Sequence, residues 1–390
     1  FYKMNLYKER GDFMFQKGLK GIVAAETKIC DIDGDNGKLI YRGYEIGELT
    51  NNYSFEEVAY LLWYGEIGDK QQLKQFIKTW KEYLNLTDTT KIIIDSLPPN
   101  MDLMSVVRTT ISSLGTIEFN WKPSISQAMY LTAIVPSIIA YHTRRKKGLE
   151  YIPPTDRYGH VENFLYMLNG KVPDPAHVSA LETYMILTME HGMNASTFSA
   201  RVTASTESDI VSAITSAIGT MKGPLHGGAP SGVIELLNET SKLENRVEFI
   251  RNKILNGEKL MGFGHRVYKT HDPRALALKE KLTKFVGKDE WLDLAMEVEQ
   301  ICIDQLNEIK PGRSLYTNVE YYAAAIMKAI DLPPEMFTPT FTASRMVGWT
   351  AHVLEQAENN TIYRPQSIYI GMNNSAGASN RPVQTGLLRL

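Results

Sequence analysis

The chain has 390 residues, 43% hydrophobic and 22% charged, which excludes a disordered tail or a disulfide-framed miniprotein and points to two packed bodies or one large one. Forty-two basic against 44 acidic side chains leave a formal charge of -2, so no global positive field favours nucleic acid or anionic lipid, and the expected partner is a small molecule or another subunit. Cys30 and Cys302 lie far apart and neither stands in a C-x-x-C, which supports no disulfide framework or zinc knuckle and suits a reducing cytoplasm.

In chain order, residues 1–13 (FYKMNLYKERGDF) are charged and aromatic without an apolar stretch; they read as an extension outside the fold and not as a secretory signal, with Met14 the natural start. Two β-leaning pieces, 22–32 and 38–41, flank the turn-rich Asp33-Gly34-Asp35-Asn36-Gly37 and predict a small N-terminal β-hairpin. The same turn begins like a calcium loop at Asp31, but its sixth and twelfth positions hold Asn36 and Arg42 where Gly and Glu are needed, so calcium is not expected.

From Ser54 onward the pattern is helical, opening with a capping box of Ser54 and Glu57 and then Val58, Leu61 and Leu62 on one face. Further helices are predicted over 71–84, 101–114, 124–147, 158–168, 176–190, 208–220, 246–256, 272–285, 291–308, 320–329 and 340–358. Strand signals after residue 45 are scarce, which makes the fold class mainly α, and no fixed-period repeat suggests a solenoid. The longest apolar run, Leu131–Tyr141, is shorter than the roughly 18 residues of a spanning helix and contains Pro136. The basic run Arg144-Arg145-Lys146-Lys147 precedes Gly148 and reads as a solvated helix end whose cations suit the helix dipole. Residues 371–390 include the small, polar GMNNSAGASNRPVQTG and read as a loose tail.

Three of the eight histidines, His191, His226 and His265, stand beside glycines in loop-like contexts, where backbone approaches a ligand closely and an imidazole can move a proton near neutral pH. Gly262-x-Gly264 resembles the start of a dinucleotide fingerprint, but Val267 replaces the third glycine and no βαβ pattern surrounds it, so nicotinamide is not expected. H-E-x-x-H and G-x-S-x-G are both absent, and the histidine spacing offers no closed metal site. Asp272-Pro273-Arg274 places a good N-cap, a first-turn proline and an arginine at a helix start, a natural anion site. Arg345 before the apolar run 346–354, and Arg364 in Tyr363-Arg364-Pro365, extend the reading to a substrate with more than one carboxylate.

GPLHGGAP at Gly223–Pro230 and GFGHRVYKTHDPR at Gly262–Arg274 closely resemble the signature motifs of the citrate synthase family. The likeness extends over roughly Gly18 to Pro365 through EHGMNASTFSARV at Glu190–Val202, YTNVEYYAAAIM at Tyr316–Met327 and FTASRMVGWTAHVLEQ at Phe341–Gln356. Length and motif forms resemble the compact bacterial branch, which also contains 2-methylcitrate synthases. The resemblance implies a mainly α, two-domain fold, with a large helical domain (14–222 and 324–370) interrupted by a smaller one (223–323). It also implies a homodimer and an acyltransferase that joins acetyl-CoA to oxaloacetate and releases citrate and CoA; no cofactor or metal is expected, and the cysteine usage keeps the expected location cytoplasmic.

Carried over by motif, His226 polarises the thioester carbonyl, His265 protonates the ketone oxygen, and Glu320 is the base. His191, Arg274 and Arg345 hold oxaloacetate, Arg364 comes from the partner subunit, and Met261, Gly262, Phe263, Gly264 and Lys269 meet the coenzyme. The base is a departure: the family has N-V-D where this chain has Asn318-Val319-Glu320. The extra methylene moves the carboxylate by on the order of 1 Å, and such a displacement costs about 100-fold in rate unless the backbone compensates. Two other readings accompany the main one: propionyl-CoA as substrate, which differs by one methyl group worth about 1 to 3 kcal/mol, and a weakly active paralogue that chiefly binds oxaloacetate or an acyl-CoA.

Overall fold

The computed structural model describes residues 15–227, 231–265, 267–283, 289–312, 315–368 and 370; the expected extensions 1–13 and 371–390 lie outside the described residues. Strands β1 (Cys30–Asp33), β2 (Lys38–Tyr41) and β3 (Tyr44–Glu45) form an antiparallel sheet in that order, with Cys30 opposite Tyr41 and Asp33 opposite Lys38. The expected hairpin thus gains a third strand, and its first strand starts only at Cys30. Upstream, the Lys28 amide donates to the Glu355 carboxylate at 2.7 Å, and no strand among the described residues lies alongside. Asp33 Oδ1 accepts the amides of Asp35 and Asn36 at 3.1 and 3.0 Å, so the calcium-like turn is an Asx turn whose acid serves its own backbone.

The described helices are α1 (Ile46–Asn52), α2 (Phe55–Tyr64), α3 (Lys70–Tyr83), α4 (Asp88–Ser96), α5 (Leu103–Ser113), α6 (Ile125–Lys146), α7 (His160–Asn169) and α8 (Pro175–Thr188), followed by α9 (Ala195–Ser205), α10 (Ile210–Met221), α11 (Ser231–Ser241), α12 (Arg246–Leu255), α13 (Pro273–Thr283), α14 (Glu290–Ile309), α15 (Val319–Ala329) and α16 (Phe337–Glu358). Reciprocal capping boxes open α2 (Ser54 with Glu57), α3 (Asp69 with Gln72) and α6 (Ser124 with Gln127), satisfying amides that have no partner inside the helix. Helices α1, α4, α9 and α11 are not among those predicted. In α4 the run Ile92-Ile93-Ile94 is β-branched, and α9 is built of Ser, Thr and Ala with little apolar periodicity. Helix α9 is held by the Asn194 cap on Thr197 N at 3.0 Å and by packing on α10 and α16.

The basic run at the end of α6 is not simply solvated. Arg144 is buried with Nη1 donating to the Leu168 carbonyl at 3.0 Å, and Arg145 pairs with Asp95 at 2.8 Å. Helix α16 is buried on nearly every side, as a central core helix must be, and packs on α6, α8, α9 and α10. Its start at Phe337, earlier than predicted, tolerates Pro339 because first-turn amides have no intrahelical partner to lose. No described helix is long and apolar enough to cross a membrane.

Candidate active site

Helix α13 begins where the D-P-R motif predicts, and Asp272 does more than cap it. Its carboxylate accepts the Arg274 amide at 3.0 Å, takes Arg274 Nε and Nη2 at 3.0 and 2.9 Å, and accepts the Val319 amide at 3.1 Å. One buried carboxylate therefore joins the starts of α13 and α15 and orients the guanidinium. Burial opposes charge on both groups, but their attraction outweighs it, holding Asp272 below and Arg274 above their ordinary values.

Glu320, in the first turn of α15, is half-buried, and its Oε2 is shielded from solvent without a hydrogen-bond partner. Burial pushes its carboxyl above the ordinary value, with Asp272 adding to the rise and Arg274 opposing it. A cavity of about 50 Å³ is lined by Glu320, Arg274, His226, Tyr184, Phe337 and Phe341, among others. A carboxylate lining a small pocket together with a cation and an imidazole is suited to proton abstraction next to a carbonyl.

His226 follows α10 in a tight turn, with its amide on the Gly223 carbonyl at 3.0 Å. The Ser196 amide lies 3.3 Å from His226 Nε2 and the Ser196 hydroxyl 2.7 Å, so Nε2 accepts and the ring proton resides on Nδ1. Ser196 is itself fixed by the Trp349 indole, which donates to its Oγ at 2.9 Å. His265 has the opposite tautomer: Nδ1 accepts the amides of Val267 and Tyr268 at 3.0 and 3.1 Å, which leaves the proton on Nε2. That Nε2 lies 3.1 Å from Arg274 Nη2, so two donors converge on one space, an arrangement made for an oxygen acceptor. Burial first, then Arg345 for His226 and Arg274 for His265, pushes both imidazoles down to about 4, so both are neutral donors at physiological pH.

His191 pairs with the Tyr268 hydroxyl at 3.0 Å, and its ring centroid lies 5.7 Å from that of His265. Arg345 is buried one layer behind the cavity, with Nε donating to the Thr188 carbonyl at 2.6 Å and the guanidinium 4.7 Å from the Phe341 ring. Arg364 is not brought to this cavity within the chain. It sits exposed after α16, next to Tyr363, which packs on Phe198 with ring centroids 5.5 Å apart. Of the segment expected to meet a coenzyme, the Gly262 carbonyl accepts the Asn318 amide at 2.9 Å and the Gly264 amide donates to the Tyr316 carbonyl at 2.7 Å. Phe263 forms an isolated bridge with Thr317, while Met261 and Lys269 are exposed, and Lys269 pairs with Asp35 at 2.7 Å. Asp272 as partner of Arg274, Ser196 behind His226 and Tyr268 behind His191 were not singled out from the sequence as site residues, although each stands inside a motif quoted for the resemblance. No group of three or more His, Cys, Asp or Glu among the described residues is placed to hold a metal ion.

The family model described as citrate synthase, C-terminal domain, matches residues 18–366. The chain belongs to the citrate synthase family. It is similar to citrate synthase 2 of Bacillus subtilis, 41% identical over 91% of this chain and 95% of that one. Similarity to the 2-methylcitrate synthase of Mycobacterium tuberculosis is 40% identity over 93% and 92% of the two chains. Among solved structures, citrate synthase from Thermotoga maritima matches with a TM-score of 0.82 and 39% identity over 95% of this chain and 99% of that one. The citrate synthase of Thermoplasma acidophilum, solved as a ternary complex with carboxymethyl coenzyme A and oxaloacetate, matches with a TM-score of 0.84 and 29% identity over 95% and 99%. The mainly α citrate synthase fold expected from the motifs is therefore the fold of this chain.

Proposed function

We propose that this family member catalyses the Claisen-type condensation of acetyl-CoA with oxaloacetate and hydrolyses the resulting citryl thioester to citrate and CoA. The observation that carries this reading is the meeting of Glu320, His226 and Arg274 at one cavity, with His265 Nε2 3.1 Å from Arg274. Glu320 takes a proton from the thioester methyl group, and the His226 Nδ1–H steadies the enolate oxygen as negative charge develops on it. The new carbon–carbon bond forms at the ketone carbon of oxaloacetate, and the His265 Nε2–H delivers its proton to the ketone oxygen. Water then attacks the thioester and the CoA sulfur leaves as thiol.

Arg274, Arg345 and His191 hold the dicarboxylate and remove the repulsion that an incoming enolate would meet. Arg364, absent from the lining of its own chain's cavity, completes the site of a partner subunit in a homodimer. Lys269 and the segment Met261, Gly262, Phe263, Gly264 meet the coenzyme; the internal bonds of Gly262 and Gly264 leave the exposed Met261 and Lys269 as the freer contacts. A smaller domain over 223–323 closes on the larger one formed by 14–222 and 324–370, excluding water until the thioester intermediate exists. Both cysteines are free, which suits the reducing cytoplasm.

Likeness to 2-methylcitrate synthases supports a second reading in which propionyl-CoA is the better acyl donor. Release of free thiol on mixing the protein with oxaloacetate and each acyl-CoA, side by side, decides between them. Faster release with acetyl-CoA is the expected result. Much faster release with propionyl-CoA reassigns the substrate, and ligand binding without turnover makes the chain a binding paralogue.

A further inference from the structure

Arg274 has Asp272 in contact, whereas Arg345 makes no ion pair among the described residues, and the carboxylate that acts most on it is Glu190. Glu190 is fully buried and absent from the cavity lining, yet it directly precedes His191. Its Oε1 accepts the Gly192 amide at 2.5 Å, so the carboxylate spans residues 190–192 and closes the turn that presents His191. Gly192 supplies the left-handed φ of 60° that this turn requires.

The carboxylate is itself held from behind. His352 Nε2 lies 3.1 Å from Glu190 Oε1, and Arg201 Nε donates to His352 Nδ1 at 3.0 Å. Arginine has no acceptor, so Nδ1 must carry the lone pair and the ring proton must reside on Nε2, facing Glu190. Arg201 is anchored in turn by Gln356 Oε1 at 2.9 Å and by the Glu355 carboxylate. Gly348 leaves the room Glu190 occupies, since a Cβ there would stand 2.4 Å from Glu190 Oε2 and 2.3 Å from the Met189 carbonyl. Nothing in the cavity requires this buried row, and ion pairs buried at such cost are seldom the most stable filling of a core.

We propose that Glu190 and His352 are positioning residues for the dicarboxylate: the chain Arg201–His352–Glu190 fixes the turn that carries His191 and so sets the geometry of the oxaloacetate pocket. This rests on the assignment of His191 to oxaloacetate. Its neighbours Tyr268, at 3.0 Å, and His265, at 5.7 Å between ring centroids, are the groups a displaced His191 would disturb.

The test is steady-state kinetics of the full-length enzyme as Glu190→Ala, His352→Leu and Glu190→Gln. The glutamine amide oxygen can accept both bonds that Oε1 accepts, so this variant keeps the geometry and removes the charge. In Glu190→Ala and His352→Leu the KM for oxaloacetate rises by about tenfold or more, while the KM for acetyl-CoA stays within about twofold and Glu190→Gln stays within about threefold of wild type. Both KM values rising together, no change in either removal variant, or Glu190→Gln as damaged as Glu190→Ala overturns the proposal. Should the removal variants fail to fold, nitrogen NMR of the histidine-labelled wild type decides: His352 protonated on Nε2 alone supports the chain, and a proton on Nδ1 sinks it. Calorimetry of oxaloacetate with the wild type separates the two levels, since absence of binding removes the substrate reading while the His352 tautomer still reports on the chain.

Discussion

The carboxylate of Asp272 grips Arg274 through Nε and Nη2 at 3.0 and 2.9 Å and accepts the Val319 amide at 3.1 Å with the same group. The starts of α13 and α15 and the pose of the Arg274 guanidinium are thereby set by one side chain. Asp272→Asn leaves a buried guanidinium without its countercharge, at a cost of about 3 to 5 kcal/mol. The expected outcome is a lower melting temperature by calorimetry, together with a KM for oxaloacetate raised by about tenfold or more. An unaltered KM in a folded variant would show that Arg274 keeps its pose without Asp272.

Glu320 has a methylene more than the family's aspartate, and its Oε2 is buried without a partner, free for an incoming C–H. Glu320→Gln is expected to lower kcat by at least about 100-fold, because no general base replaces it. Glu320→Asp withdraws the carboxylate by on the order of 1 Å and is expected to cost about 10- to 100-fold, showing a site built around glutamate. Equal or faster turnover in the aspartate variant contradicts that.

The pH profile follows from the same residues. His226 and His265, pushed down to about 4, stay neutral above pH 5 and contribute no limb there. Glu320 must be ionised to act, and burial raises its pKa, so kcat/KM for acetyl-CoA is expected to climb with pH through a midpoint above the ordinary 4.5. The limb should shift in Glu320→Asp; a limb that stays in place belongs to another group.

Arg364 offers a complementation test of subunit sharing. Glu320→Gln and Arg364→Leu are each expected to be inactive alone. Random re-pairing of the two makes half the dimers mixed, each with one intact site, and returns about a quarter of wild-type activity. No recovery after verified exchange would mean that Arg364 serves no neighbouring site.

Far from the cavity, Glu56 accepts the His160 amide at 2.7 Å, and burial pushes its carboxyl up to about 7. A carboxyl raised on folding contributes stability that is full below its unfolded value and is lost as pH rises through the folded one. Glu56→Gln, which keeps the acceptor, should therefore gain on wild type by on the order of 3 kcal/mol between pH 4.5 and 8. Chemical denaturation at the two pH values measures it, and a gain that is independent of pH counts against the assignment.

Capping chemistry and motif residues made much of this protein readable before any coordinates. Ser54 with Glu57 and Asp272 with Pro273 start helices where expected, because a cap is a local bond between residues a few positions apart. Helix α9 was not readable, since its Ser, Thr and Ala residues give little apolar periodicity and packing on α10 and α16 holds it. Arg144 likewise looks solvated in a basic run until Leu168 closes over it.

By itself the sequence pointed to the candidate groups: the histidines among glycines, the D-P-R start, and a glutamate where the family resemblance puts the base. Only the tertiary structure decided the tautomers of His226 and His265 and the buried row behind His191. For His265 the reason is a local turn that aims the Val267 and Tyr268 amides at Nδ1, and for the others it is distance along the chain. Ser196 is 30 residues from His226 and His352 is 162 from Glu190, and which nitrogen holds a proton depends on donors that only folding brings within 3 to 3.3 Å.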